Sequence, residues 1–212
     1  MTLPAPGTSR GSGTFLLADI SGYTAFLHGV AEAHRALIVD AAEPPPAYAL
    51  LSTLLDAMVE KVAPRFRLVK FEGDALFAMA DDPDAVRGPA VIDCLRACHA
   101  EFNALLANAG SQWTCTCDAC ARIDALGLKF VLHHGDYVVQ RIVGREELAG
   151  PDVIVAHRLL KNHARDLVGD RPYALLSDAT LAALDVPDEG MLATVEAYDD
   201  MPPVPVHVLP LA

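Results

Sequence analysis

The sequence predicts an α+β fold with a ferredoxin-like βαββαβ core. An apolar, strand-like run at 14–18 leads directly into a segment with helical signals. Two apolar runs then flank Glu72, Gly73 and Asp74 in the pattern of a β-hairpin. A second long helical pattern and further strand-like runs follow the hairpin. This order of elements is that of a split βαβ unit.

Each element follows from its own periodicity. The three prolines at 44–46 interrupt the chain, and apolar residues then recur at helical spacing from Tyr48 to Val62. The patterns predict, in chain order, strand 14–18, helix 21–30, helix 48–62, strands 67–71 and 75–79, helix 85–107, strands 128–132 and 138–143, helix 153–163, strand 174–177, helix 179–183, and strands 192–195 and 204–208.

The composition is that of one globular domain. The chain has 212 residues, of which 52% are hydrophobic, so it can bury a substantial core without needing two domains. We expect a flexible tail at 1–13, one domain at 14–212, and a cysteine-rich loop at 111–124. No apolar run has the length of a membrane span and the N-terminus lacks a signal-peptide pattern, so we expect a cytoplasmic protein without a membrane partner.

The net charge restricts the class of partner. A formal charge of -12 argues against binding to nucleic acid, which requires clustered lysine and arginine. A free nucleotide that carries its own Mg²⁺ remains compatible with an acidic protein.

Two acidic residues mark a candidate metal site. Asp19 and Asp74 each stand at the end of an apolar run with a glycine nearby, which lets the backbone and a ligand approach closely. Two such carboxylates suit Mg²⁺, which takes its other ligands from water and substrate phosphate. Taken singly, each aspartate also fits a turn former or a helix cap.

Four stretches together resemble the catalytic domain of class III nucleotidyl cyclases, the adenylyl and guanylyl cyclase family. They are Ala18–Thr24, Lys70–Asp74, Leu132–Val139 and Gly150–Leu159, and the resemblance covers residues 14–165. An uncharacterised bacterial branch of that superfamily, DUF2652, is resembled more closely by three features: the residue sequence of Lys70–Asp74, the cysteine cluster and Ala156–Asn162. The resemblance implies that the ferredoxin-like core is elaborated as in a cyclase domain.

The resemblance also implies a role for each matching residue. Asp19 and Asp74 would hold two Mg²⁺ or Mn²⁺ ions, and Arg158 would steady the pentavalent phosphate with its bidentate guanidinium. The backbone of Ile20, Gly22, Tyr23 and Thr24 would cradle the triphosphate, and Lys70 with Glu147 would read the purine edge. The alternatives are an ordinary strand-to-helix turn at 20–24 and a solvated charge at Lys70.

The chain departs from the family at two positions. Ile154 stands where active members place an asparagine that orients the ribose, and loss of one such donor commonly costs on the order of 10²–10³ in rate. His157 and Asp152 are candidates for a partial substitute. Glu147 stands where the family prefers Asp or Thr, which leaves the choice of base open.

Three functions therefore remain open. The first is a metal-dependent, adenylate-type cyclase, a phosphorus–oxygen lyase that makes a cyclic nucleotide and pyrophosphate from a nucleoside triphosphate. The second is an inactive nucleotide-binding sensor or regulatory module, and the third is an interaction scaffold on the same fold. Cyclase sites form between protomers packed head to tail, so the resemblance implies a homodimer in which Asp19 and Asp74 meet Lys70 and Arg158 of the partner.

The cysteines indicate a second candidate site. Cys115, Cys117 and Cys120 lie within six residues and can converge on a soft cation such as Zn²⁺. The fourth ligand is predicted to be one of Cys94, Cys98 and His99 on the preceding helix. The alternatives are a redox role for the loop thiols and simple burial for the helix thiols. Five is an odd number of cysteines, so we expect no disulfide framework in a cytosolic protein.

Overall fold

The computed structural model describes residues 9–35, 45–112 and 114–211. Its strands are β1 (Ser9–Ser21), β2 (Arg67–Glu72), β3 (Ala75–Ala80), β4 (Gly127–Ile142), β5 (Arg145–Ala149), β6 (Tyr173–Ser177), β7 (Leu192–Tyr198) and β8 (Met201–Pro210). Its α-helices are α1 (Tyr23–Ala33), α2 (Pro46–Val62), α3 (Pro89–Gln112), α4 (Pro151–Arg158), α5 (Arg165–Val168) and α6 (Asp178–Leu184). Short 3-10 helices occupy Pro83–Val86, Cys120–Ala125 and Leu159–Lys161.

The strands form one sheet in the order β2-β3-β1-β4-β6-β8-β7, and β5 pairs with β4. Strands β2, β3, β1 and β4 are antiparallel neighbours in the ferredoxin-like order. Strand β6 joins β4 in parallel, and the β7–β8 hairpin extends the sheet beyond it. The predicted α+β fold with a βαββαβ core is therefore confirmed.

Both faces of the sheet are covered, and alternate residues of β1 face opposite layers. Leu16, Ala18 and Ile20 belong to the larger core, which also contains the buried side chains of α1, α2 and α3. Phe15 and Leu17 belong to the smaller core with the buried side chains of α4. This double burial explains why the sequence of β1 is a continuous apolar run.

Residues 9–13, which the sequence assigns to the flexible tail, are part of β1. They pair with Gly135 to Val139 of β4 in antiparallel register. A side chain at Gly11 would collide with the Tyr137 ring, so glycine lets that ring lie over the strand. Residues 1–8 and most of the predicted break at 41–46 lie outside the described residues.

The two strands predicted at 128–132 and 138–143 are one strand of 16 residues, β4. Gly135 does not break it; it is needed there because a side chain would collide with Asp152. The chain then turns at Val143 and Gly144, both with positive φ, into β5. The helix predicted at 153–163 ends at Arg158 and continues as a 3-10 turn to Lys161.

None of the helices in the described ranges is long and apolar enough to cross a membrane. The cytoplasmic location stays a prediction.

Candidate functional site

The sheet register brings Asp19 and Asp74 to one place. Asp19, near the end of β1, lies opposite Ala75 of β3, and Asp74 is the residue before Ala75 in the hairpin turn. Gly73 has a φ of 67°, which glycine adopts without strain, so the hairpin can turn tightly at this point. Both aspartates line one cavity of about 540 Å³.

The predicted phosphate-binding segment lines the same cavity. Ile20, Gly22, Tyr23 and Thr24 are all in its wall. Gly22 precedes the first residue of α1 and has a left-handed φ of 84°. A side chain at Gly22 would also lie 3.2 Å from the carbonyl oxygen of Ala125, so glycine allows the close approach of the next loop. The N-terminus of α1 thus opens beside the two carboxylates.

The electrostatics of the cavity are least balanced at the Asp74 carboxylate. Burial is the main cause that raises the pKa of Asp74, and the charge of Asp19 raises it further, while Lys129 lowers it. Burial, followed by the charge of Asp74, also raises the pKa of the neighbouring Tyr23. Within the described part of the chain, no basic side chain forms an ion pair with Asp74. Two carboxylates in this setting fit a divalent cation.

Lys129 is a site residue that the sequence did not reveal. Its register partner on β1 is Asp19, and its Nζ lies 2.9 Å from Asp19 Oδ2, with both side chains about four-fifths buried. It also donates a hydrogen bond to the Leu160 carbonyl oxygen at 3.3 Å. The only local signal was a lysine inside an apolar strand.

Three more polar residues of the cavity also escaped the sequence pattern. They are Asn162, Arg165 and Tyr173. The Tyr173 hydroxyl donates to Asn162 Oδ1 at 2.8 Å, and Asn162 Nδ2 donates to the Leu159 carbonyl oxygen at 2.7 Å. These bonds fix the asparagine, whereas the exposed Arg165 adds positive charge to the rim.

The structure brings Lys70 and Glu147 together, as the resemblance implies for a base-reading pair. Lys70 Nζ lies 3.1 Å from Glu147 Oε2 and 3.2 Å from Glu72 Oε1. Burial lowers the pKa of Lys70, but the hydrogen bonds to Glu147 and Glu72 outweigh it and leave the pKa above its ordinary value. Lys70 is therefore held as an ammonium between two carboxylates.

Arg158 and Ile154 lie one turn apart on α4 and line a second cavity of about 450 Å³. The Arg158 guanidinium pairs with Asp200 Oδ2 at 2.6 Å. The Ile154 side chain is 58% exposed, so an apolar group faces the cavity where the family places a donor.

The two candidates for a substitute donor are engaged elsewhere. His157 bonds through Nδ1 to the Val153 carbonyl oxygen at 2.7 Å and through Nε2 to Glu72 Oε1 at 3.1 Å. Asp152 Oδ2 accepts from the Asp136 backbone N–H at 2.7 Å.

The predicted nucleotide residues therefore fall into two groups within one chain. Asp19, Asp74 and the 20–24 turn line the first cavity, and Arg158 lines the second. Leu160 is the one residue that lines both. Glu72, which lines the second cavity, connects it to Lys70 through their ion pair.

The loop thiols converge, and their fourth neighbour is a residue that the sequence did not indicate. His34 at the end of α1 groups with Cys115, Cys117 and Cys120, and one ligand atom from each lies within 4.8 Å of every other. A hydrogen bond from the Cys120 backbone N–H is the largest cause that lowers the pKa of Cys117 to about 7.

The helix residues predicted as the fourth ligand have other environments. Cys94 Sγ contacts the Lys61 carbonyl oxygen at 3.6 Å, and burial raises the pKa of Cys98 to about 12. His99 shares a hydrogen bond with Asn103, and burial lowers its pKa. The four-residue group thus takes its nitrogen from His34 instead of His99, because α1 packs against the loop.

Comparison with known proteins identifies the family. A family model described as a protein of unknown function, DUF2652, matches residues 51–166, which is more than half of the chain. The uncharacterized protein Rv2561/Rv2562 of Mycobacterium tuberculosis is 32% identical over 135 residues. That match covers 64% of this chain, and the chain spans only 60% of the relative's length.

Solved structures identify the fold. The guanylyl cyclase Cya2 superposes with a TM-score of 0.69 at 15% identity, covering 97% of this chain and 100% of that one. The adenylyl cyclase CyaB from Pseudomonas aeruginosa has a TM-score of 0.65 at 17% identity, with 95% and 94% covered. A class III adenylyl cyclase-like ATP-binding protein from the same organism has a TM-score of 0.59 at 18% identity, with 85% and 36% covered. The chain therefore belongs to the DUF2652 family of proteins of unknown function, and its fold is that of the class III nucleotidyl cyclase catalytic domain.

Proposed function

We propose that this protein binds a nucleoside triphosphate with Mg²⁺ or Mn²⁺ and converts it slowly to a cyclic nucleotide and pyrophosphate. It would act as an adenylate-type phosphorus–oxygen lyase in the cytoplasm. The observation that supports this most is one cavity lined by Asp19, Asp74 and the first turn of α1. A two-carboxylate site beside a helix N-terminus suits a metal-bound phosphate.

Asp19 and Asp74 would hold the metal ions. Burial, followed by the charge of Asp19, raises the pKa of Asp74, and the repulsion between the two carboxylates favours a cation between them. When bound, such ions activate the ribose 3′ oxygen and neutralise the phosphates. Lys129 already balances one charge of the pair, because its ammonium lies 2.9 Å from Asp19 Oδ2 and holds that side chain in place before the nucleotide arrives.

The chain itself would bind the triphosphate. The first backbone N–H groups of α1 have no partners within the helix, and their residues line the cavity, where such groups would donate to phosphate oxygens. Arg165 at the rim provides a bidentate donor for the same group. These contacts would all be made to the triphosphate, so they would bind a nucleotide with any base.

Lys70 and Glu147 would select the base. The ammonium donates and the carboxylate accepts, which complements the ring nitrogen and the exocyclic amine of adenine. Glu72 holds the lysine between two carboxylates, so that its donor is positioned before the base binds. This arrangement supports ATP as the preferred substrate.

A head-to-tail homodimer would complete the site. Arg158 lines a cavity separate from that of Asp19 and Asp74 in the same chain. A two-fold axis would bring Arg158 and Lys70 of one protomer to the carboxylates of its partner and create two equivalent sites. The pentavalent phosphate would then lie beside a guanidinium.

The second candidate function is a nucleotide-binding sensor without turnover. The exposed Ile154 favours it, because isoleucine offers no hydrogen bond to the ribose and neither His157 nor Asp152 is free to replace the donor. A missing donor of this kind costs about 10²–10³ in rate. The neighbouring structure described as an adenylyl cyclase-like ATP-binding protein has the same fold.

The deciding experiment incubates purified protein with each of the four nucleoside triphosphates and Mn²⁺ and measures cyclic product by mass spectrometry. Product that disappears in an Asp74→Asn variant supports the cyclase. Metal-dependent nucleotide binding without product, measured by calorimetry, supports the sensor. Absence of both product and binding contradicts both functions and leaves the scaffold.

A further inference from the structure

A group of three sulfurs and one nitrogen lies outside the nucleotide cavity. The Nε2 atom of His34 is 3.3 Å from Cys115 Sγ, 3.4 Å from Cys117 Sγ and 4.0 Å from Cys120 Sγ. The histidine is at the end of α1, and the thiols are in the loop between α3 and β4. The four residues are therefore brought together by tertiary packing across more than 80 positions of sequence.

Hydrogen bonding alone does not account for this arrangement. A ring nitrogen carries one proton or one lone pair, so Nε2 can make one such bond, yet three sulfurs surround it. None of the three thiols takes part in a disulfide. Three soft donors and an imidazole around one point are the ligand set of a Cys₃His zinc site.

We propose that His34, Cys115, Cys117 and Cys120 bind one Zn²⁺ ion in a closed, tetrahedral, structural site. Zinc–sulfur and zinc–nitrogen bonds of ordinary length place sulfur and nitrogen about 3.6 Å apart in a tetrahedron. The three observed separations, from 3.3 to 4.0 Å, bracket that value. The loop is also shaped for a metal-bound thiolate, because the Cys120 backbone N–H donates to Cys117 Sγ at 3.4 Å.

The ion would clamp α1 to the loop that leads into β4. The two elements already touch at two points: a side chain at Gly29 would lie 2.9 Å from Ala119 Cβ, and one at Gly22 would lie 3.2 Å from the Ala125 carbonyl oxygen. The zinc site adds a third contact at the far end of the helix. This role does not depend on nucleotide turnover, because the free energy of metal binding contributes directly to folding.

The test is metal analysis of full-length protein purified under reducing conditions without chelator. We expect one equivalent of zinc per chain and no iron by elemental mass spectrometry. Cobalt substitution should give the sulfur-to-cobalt charge-transfer absorption and the intense visible bands of a tetrahedral site. Chelation should lower the thermal unfolding temperature of the wild-type protein, a result that needs no variant to fold.

Variants separate the ligands from the other thiols. His34→Ala should weaken zinc affinity by more than about 100-fold, since loss of an outer-shell partner alone costs up to that much. His34→Cys should keep one equivalent, because a fourth thiolate restores the ligand set. Cys98→Ser and His99→Ala are matched controls on α3 and should keep zinc as well.

The proposal is overturned if folded wild-type protein contains less than about a tenth of an equivalent and takes up neither zinc nor cobalt. Loss of zinc in the α3 controls, with retention in His34→Ala, would equally overturn the ligand assignment. Neither outcome depends on whether the protein binds or converts nucleotide.

Discussion

Replacement of Lys129 by methionine isolates the ion pair at the centre of the candidate site. The change removes the ammonium 2.9 Å from Asp19 Oδ2 and keeps most of the volume of the side chain. It leaves two neighbouring carboxylates, Asp19 and Asp74, without their basic neighbour. We expect the metal-free protein to become markedly less stable.

The magnitude follows from distance and burial. At 2.9 Å and an effective dielectric constant of about 20, the gross attraction is about 6 kcal/mol. Breaking a fully buried pair costs about 3–5 kcal/mol, because one charge is left uncompensated. About a fifth of each side chain is exposed, so we expect a loss of about 3 kcal/mol in the free energy of unfolding. In a chain of 212 residues this lowers Tm by roughly 6–12 °C.

Urea denaturation in the presence of chelator measures the loss. Lys61→Met is the matched control: its ammonium lies 2.9 Å from Glu101, but both side chains are about two-fifths exposed. We expect almost no loss in that control, because exposed pairs contribute little. A double variant, Asp19→Asn with Lys129→Met, should recover most of the stability, since the carboxylate that the lysine had paired is then a neutral amide.

Added Mn²⁺ should stabilise the Lys129→Met variant more than the wild type, because the ion supplies the charge that the lysine provided. This second measurement rests on the proposed metal site, whereas the loss in chelator does not. Equal losses in Lys129→Met and Lys61→Met, or no recovery in the double variant, would refute the reasoning from burial.

The remaining predictions concern the site and its assembly. Ile154→Asn should raise cyclic-product formation by at least tenfold and at most about 10³-fold, because it restores a donor at an exposed position; unchanged product with intact nucleotide binding would locate the defect elsewhere. Asp74→Asn should stabilise the metal-free protein at neutral pH, because burial and the charge of Asp19 raise the pKa of that carboxyl and disfavour its ionised form in the fold. The gain should disappear as the pH falls through the raised pKa towards 3.8, and a pH-independent gain in denaturation experiments would contradict it. Chains with Asp74→Ala and chains with Arg158→Ala, each inactive alone, should recover about a quarter of wild-type activity when mixed, since about half of the dimers are mixed and one of their two sites is intact. Absence of recovery in dimers shown to exchange would argue against the head-to-tail arrangement.

The sequence by itself predicted the fold class, and it singled out Asp19 and Asp74, which line one cavity in the structure. The hydrophobic periods give the βαββαβ order of elements, because the residues of each segment indicate by their own period whether it is a strand or a helix. Asp19 and Asp74 were visible for the same reason: each ends an apolar run beside a glycine that the local backbone needs.

Local patterns misled where a partner from elsewhere in the chain supplies the stability. Residues 9–13 contain two glycines, which have low strand propensity, yet β4 pairs with this segment and the Tyr137 ring covers Gly11. A glycine such as Gly135 often marks the end of a strand, yet β4 continues through it. The glycine is needed at this position because a side chain would collide with Asp152. In both places the glycine leaves room for a side chain from elsewhere in the chain, so it does not mark a turn or a tail.

Only the tertiary structure decided which distant residues lie beside the two candidate sites. Lys129 meets Asp19 because the β1–β4 register places them opposite each other, and His34 meets the loop thiols because α1 packs along that loop. The hydrophobic period of a segment indicates on which face of its helix or strand a side chain lies. It does not indicate which other helix, strand or loop packs against that face. Register and packing are set by the burial of the whole core, so the partners of Asp19 and of Cys115 follow from the fold and from no motif around them.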